Sequence, residues 1–227
     1  MRQNNHLEQV AQALYISWFI DFEPFGGSIP DGWTTQTLDN LCSLVVKGIT
    51  PKYVTQSEYR VINQKCIRNH EIDMGLARFH MPKANINRWL NKGDLLINST
   101  GTGTLGRAAQ VAFEPVGITA DSHITIVRAK SPDLVDYIGT WGIMHEHDFE
   151  LMATGSTGQT DLPRERLKAM PVVVPDTKTL SDFSSQIASI NTYREKNQRE
   201  NQALASIRDS LLPRLMSGEL DVSGIDL

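Results

Sequence analysis

The chain has 227 residues, 40% of them apolar, with 22 basic and 26 acidic side chains and a net charge of −4. That length fits one substantial domain with a helical appendage. A mean hydropathy of −0.28 and short apolar runs exclude a membrane-spanning helix, and two cysteines 24 residues apart, Cys42 and Cys66, exclude a disulfide scaffold or a Cys-x-x-Cys zinc site. The apolar run over residues 11–22 lacks the basic flank and cleavage site of a signal peptide, so a cytoplasmic protein is expected.

Residues 4–20 read as a helix, with Leu7, Val10, Ala11, Leu14, Tyr15 and Trp18 sharing a face. The pattern returns near the other end: Asn4, Leu7, Val10 and Leu14 match Asn201, Leu204, Ile207 and Leu211 at a constant offset of 197 residues. The chain therefore reads as one unit of a domain–helix repeat. Residues 22–33 carry three glycines and two prolines and mark a boundary. Short β-like runs follow at 59–62, 94–98, 108–112 and 123–127, separated by turn residues. Residues 133–152 look helical, residues 153–160 form a polar loop, and Met170 to Val174 make a last strand closed by Pro175.

Residues 179–212 read as one long helix that Pro213 breaks or kinks, with Gly218 marking its end. Apolar positions at Leu180, Phe183, Ile187, Ile190, Leu204 and Leu211 flank Arg194, Asn197, Asn201 and Arg208 in a heptad step. Such a stripe needs cover from the N-terminal helix, a second copy or another protein. The interface residues expected are Leu7, Leu14, Leu180, Phe183, Ile187, Ile190, Leu204 and Leu211. The fold class is α+β, divided into an N-terminal helix (1–22), a mixed, β-rich domain (23–178) and a long helix with its tail (179–227).

The charge is unevenly spread. Between Lys47 and Arg107 there are ten basic and four acidic residues, while the rest of the chain has 12 basic and 22 acidic ones. A basic region in an acidic protein localises attraction for a polyanion. Gly101-x-Gly103-x-x-Gly106 follows a strand, but no helix follows it, so it reads as a turn between strands rather than a dinucleotide loop. Its threonines and Arg107 suit phosphates or base edges. His145 and His147, two apart on a helix, do not share a face, so no metal site is expected. Asp121, Ser122 and His123 do not make a nucleophilic triad by adjacency alone. No phosphate-binding G-x-x-x-x-G-K-[ST] loop appears. Gln159, Thr160, Arg164 and Arg166 form a second polar cluster.

Several motifs resemble those of the specificity subunits of type I restriction–modification systems. They are Asn5-His6-Leu7-Glu8 with Trp18 to Phe22, Gly48-Ile49-Thr50-Pro51, Gly93-Asp94-Leu95-Leu96-Ile97, the glycine turn, Leu167 to Pro175, and Glu200-Asn201 with Leu211 to Glu219. The resemblance implies a target recognition domain over 23–178 and long helices pairing as an antiparallel coiled coil. It implies a chain without catalytic residues that reads one half of a bipartite site in double-stranded DNA. It also implies docking to a methyltransferase subunit, with the restriction subunit as a further partner. The cofactor S-adenosylmethionine would sit on the methyltransferase subunit and none on this chain. The family has two recognition domains; this sequence has one, like a C-terminal half.

A helix over 179–212 would run about 51 Å at ~1.5 Å per residue, more than one DNA turn of roughly 34 Å. Two copies about a two-fold axis would read an interrupted palindrome. The DNA-binding residues expected are Lys47, Lys52, Arg78, Lys83, Thr102, Arg107, Gln159 and Arg164. Two other readings remain: a truncated assembly or decoy protein that occupies the methyltransferase without productive DNA recognition, and a small nucleotide-dependent enzyme built on the glycine turn.

Overall fold

The computed structural model describes residues 2–83, 88–155 and 160–219. In chain order the elements are α1 (Arg2–Phe19), β1 (Thr34–Thr37), α2 (Leu38–Leu41), β2 (Cys42–Lys47), β3 (Arg60–Ile62), β4 (Ile67–Arg68), β5 (Glu71–Ile72), β6 (Arg78–Phe79), β7 (Leu95–Asn98), β8 (Ala108–Gln110), β9 (Ile118–Ala120), β10 (Ile124–Ala129), α3 (Val135–Met144), α4 (Glu146–Leu151), α5 (Arg164–Lys168), β11 (Pro171–Val174) and α6 (Thr177–Met216). Helices and sheets are mixed without βαβ alternation, as expected of an α+β chain.

The central layer is a four-stranded antiparallel sheet in the order β2-β10-β7-β8. Alternation along β7 decides what each face meets. Leu95 and Ile97 join Val45, Ala108 and Val127 under the helices, whereas Leu96 joins Ala109, Ile124 and Ile126 on the other side. That second side is covered by the small sheet β6-β3-β9, in which β3 and β9 are parallel, and by the β4-β5 hairpin. Asp94, buried before β7, takes a two-pronged bond from Arg128 of β10 at 2.7 Å on each oxygen. This fixes the register of the two strands with a paired buried charge.

The domain closes on itself through its ends. β1 pairs with β11 over Thr34–Thr37 and Pro171–Val174. Asp176 caps α6, accepting from the Thr179 amide at 3.0 Å, and also accepts from the Trp33 indole at 3.1 Å. The amide and hydroxyl bonds that Thr179 donates hold the Asp176 carboxyl below its usual range. The first turn of α6 is thus tied to the domain entrance.

Helix α1 runs antiparallel to α6. Phe19 lies 4.9 Å from Phe183, centroid to centroid, and Glu8 meets Arg194 at 3.5 Å, eleven residues further on each helix. The core-facing positions of α1 are Ala11, Tyr15 and Phe19, with Leu14 and Trp18 at the margin and Val10 exposed. Tyr15, Phe19, Tyr137 of α3 and Phe183 all touch one another.

The stripe expected as one docking seam on α6 therefore divides in two. Leu180, Phe183 and Ile187 are buried within the chain and Ile190 is half-buried against the same core, so on this part of the stripe the cover comes from the chain's own N-terminal helix and domain. Leu7 and Leu14 are half-buried alongside them. Leu204, Ile207 and Leu211 are 56, 53 and 38% exposed. Pro213 sits inside α6, which ends at Met216 with Gly218 at φ +74° just after, so the proline does not stop the helix.

A charged relay joins the two helices to the domain. His70, in the β4-β5 turn, pairs through Nδ1 with Glu8 of α1 and through Nε2 with Glu146 of α4 at 3.3 Å; Glu146 also accepts from the Ala108 amide at 2.5 Å. Burial alone would lower the imidazole pKa, but the bonds to Glu146 and Glu8 outweigh it and push it up to about 9. A pKa raised on folding contributes stability below the unfolded value of about 6.5 and loses it as pH rises toward 9. Denaturant midpoints should accordingly fall between pH 6.5 and 9, and His70→Gln should flatten that slope; an unchanged slope would show that the relay is not formed.

Candidate nucleic-acid interface

The basic side chains expected to contact DNA sort into two groups. The first surrounds the glycine turn. Gly101, Gly103 and Gly106 have φ of +101°, +73° and +88° and connect β7 to β8, so the stretch is the expected strand-to-strand turn. Thr102 is exposed at its tip, and the half-buried Arg107 donates to the Gly103 carbonyl at 2.7 Å, which holds the turn shut. Beside it, Thr154 and Asp161 exchange backbone bonds at 2.9 and 2.8 Å, and the Leu162 amide bonds the Ser99 carbonyl at 2.8 Å. Gln159 lies outside the described residues.

Asp161 also takes a 2.5 Å bond from Lys47 at the end of β2. Lys47, Arg88, Asp161, Arg164 and Glu165 line one crevice of about 290 Å³. Lys47 and Arg164 thus meet in space, but each is paired with an acid, Arg164 with Glu165 at 3.2 Å. Sequence reasoning missed Asp161 and Arg88. An acid flanked by the polar loop and Arg164 was the available signal for Asp161; Arg88, whose guanidinium bonds the Gly48 carbonyl at 2.7 Å, had as its signal only its place in the basic window.

The second group lies along β6. Lys52, Arg78 and Lys83 are all exposed, and among the described residues no carboxylate forms an ion pair with any of the three. The backbone brings them together: the Val54 amide bonds the Phe79 carbonyl at 3.2 Å, and the Met81 amide bonds the Lys52 carbonyl at 2.9 Å. Between those bonds sits Tyr53, with the Arg78 guanidinium 3.5 Å from its ring centroid. Burial raises the Tyr53 hydroxyl pKa, and so does Asp121, against the opposing effect of Arg78. Tyr53 escaped the sequence reading, although an aromatic directly after Lys52 was a visible cue. Beneath this edge His80 is fully buried, and burial lowers its pKa.

Segment 48–53 links the groups. The Gly48 amide bonds the Ile124 carbonyl at 2.8 Å and the Ile49 amide bonds the Ala120 carbonyl at 2.8 Å. A Cβ on Gly48 would lie 2.2 Å from the carbonyl oxygens of both Ala120 and Asp121. Only glycine allows this approach, which explains the glycine of the Gly-Ile-Thr-Pro motif.

Chemistry at this surface is limited. His123 meets Thr100 at 2.7 Å, but the Asp121 carboxylate accepts from the His123 backbone amide at 2.9 Å rather than from its ring. The Asp–His–hydroxyl order of a nucleophilic triad is therefore not formed. His145 stacks on Trp141 at 4.6 Å and bonds its carbonyl, while His147 is exposed. Among the described residues no group of three or more His, Cys, Asp or Glu side chains could share a metal ion, and no helix is long and apolar enough to cross a membrane.

The comparisons with known proteins agree with this architecture. No family model matches the chain. Over 97% of its length it is 24% identical to the type I restriction enzyme MjaIX specificity subunit of Methanocaldococcus jannaschii, and a stretch of 69 residues is 32% identical to the HindI specificity subunit of Haemophilus influenzae. The fold matches the HsdS subunit of Thermoanaerobacter tengcongensis with a TM-score of 0.56 at 13% identity, covering 96% of this chain and 53% of that one. It matches the type I restriction–modification S subunit of M. genitalium with a TM-score of 0.53 at 16% identity, covering 84% of this chain and 48% of that one. The chain resembles type I specificity subunits in sequence and shares their fold, and it spans about half the length of its nearly full-length match, 54%.

Gly48→Ala should destabilise the domain by about 1–3 kcal/mol, the usual cost of forcing atoms into a filled site, read as a lower guanidinium midpoint. A midpoint equal to that of the parent would mean that segment 48–53 does not hold this position.

Proposed function

We propose that the chain is the DNA-reading subunit of a type I restriction–modification methyltransferase. It reads one half of a bipartite duplex target, docks the methyltransferase subunit through its helices, and works as a homodimer. The single observation that supports this best is the division of α6. Its first half belongs to a domain with the fold of specificity subunits, and its second half leaves that domain with an uncovered stripe of Leu204, Ile207 and Leu211. A helix of 40 residues runs about 60 Å at ~1.5 Å per residue. Two domains joined through such rods would stand more than one duplex turn, roughly 34 Å, apart.

The labour divides accordingly. Basic side chains neutralise phosphates and set the register, and a few side chains read base edges. Base flipping and methyl transfer from S-adenosylmethionine would fall to the partner subunit. The restriction subunit would join through that assembly. The test is methylome sequencing of a host carrying this chain and a type I methyltransferase subunit. Adenine methylation within an interrupted palindrome is expected; a target with two unlike halves, or no new methylation, contradicts the reading.

The rod gives a second test. Leu204→Glu with Leu211→Glu should leave the thermal midpoint of the domain within a few degrees while abolishing the dimer in analytical ultracentrifugation. A dimer surviving both substitutions would place the contact elsewhere.

A further inference from the structure

The geometry points to Arg78 as a base-reading side chain that contacts one guanine of the half-site, with Tyr53 as the residue that positions it. This inference rests on the DNA-reading role proposed above and names a specificity-determining pair within it.

Four observations carry it. The Arg78 guanidinium lies 3.5 Å from the Tyr53 ring centroid while both residues are exposed. Stacking uses the flat face of the guanidinium and leaves its in-plane N–H edge unoccupied. Among the described residues no carboxylate forms an ion pair with Arg78, unlike Lys47 and Arg164 on the neighbouring group. The platform is rigid: backbone bonds from Val54 to Phe79 and from Met81 to Lys52 bracket Tyr53, and on the same small sheet Arg60 lies over Phe79 at 5.0 Å.

A guanidinium held by its face keeps the geometry of its N–H fork, and that fork matches the O6 and N7 acceptors that guanine shows in the major groove. Lys52 and Lys83, exposed beyond Tyr53 on the side away from Arg78, are point charges on flexible stems and suit phosphate oxygens. Ordering the arginine in advance lowers the entropy lost on binding. This edge thus presents one directional reader beside two non-directional anchors.

The experiment is enrichment of a randomised duplex pool on the full chain, followed by sequencing, for the parent and four variants. Arg78→Lys should flatten one guanine position, with discrimination there falling on the order of tenfold or more, and leave every other position of the motif unchanged. Tyr53→Leu should weaken the same position and Tyr53→Phe should keep most of it, because the ring face carries the guanidinium. Lys52→Gln should lower binding equally across all sequences. If Arg78→Lys leaves the motif intact, or weakens all sequences equally, Arg78 is a phosphate contact or a bystander and the assignment is overturned. If the parent enriches no motif, the DNA-reading role itself fails and takes this assignment with it.

Discussion

Four rings, Tyr15, Phe19, Tyr137 and Phe183, hold this structure together. They come from three helices, and every pair has centroids between 4.9 and 6.3 Å. Each is almost wholly buried. Large aromatic rings bring the greatest apolar area per residue into contact, and edge-to-face packing adds to it. The cluster fastens α1 and the first turns of α6 to α3, and α3 sits on the helix-facing side of the central sheet. Where the long helix leaves the domain, and therefore how much of it is left free, follows from this one contact.

The surface that faces outward depends on the opposite side of the same sheet. Strand β7 buries side chains on both faces, so helices and small sheets share a common layer. The small sheet and segment 48–53 hang from that layer by backbone bonds and by a glycine approach that no other residue allows. Basic side chains at those edges are held on short, well-bonded backbone. Charge then differs between the two groups for a simple reason. Asp161 and Glu165 compensate Lys47 and Arg164, whereas no described carboxylate pairs with Lys52, Arg78 or Lys83.

Much of this is legible in the residues alone. Period-two runs gave the strands near 60, 95, 108 and 124, and the helical spacing gave α1, α3 and α6. The glycine turn could be read as a strand connection because no helix-forming residues follow Gly106. What the pattern could not show is a change of partner along one helix. Leu180 to Ile190 and Leu204 to Leu211 follow the same step, yet α1 covers the first group and leaves the second bare. Pairing across the whole chain was equally hidden: β1 with β11, and His70 with Glu8 and Glu146, join residues with no local signal of each other. Of the eight residues expected to meet DNA, seven are described; Lys47 and Arg164 line one crevice, Thr102 and Arg107 share the glycine turn near it, and Lys52, Arg78 and Lys83 follow the β6 edge.

The proposed function requires that a helix anchored at one end and bare at the other hold two copies of the domain apart. Pulsed dipolar spectroscopy on Val116→Cys carrying a spin label tests it most directly, since Val116 is 87% exposed and lies between β8 and β9, away from both long helices in the chain. The account predicts a single narrow inter-copy distance greater than one duplex turn, roughly 34 Å. A shorter distance, from domains in direct contact, or no dipolar coupling at all, from a chain that stays single, would contradict it.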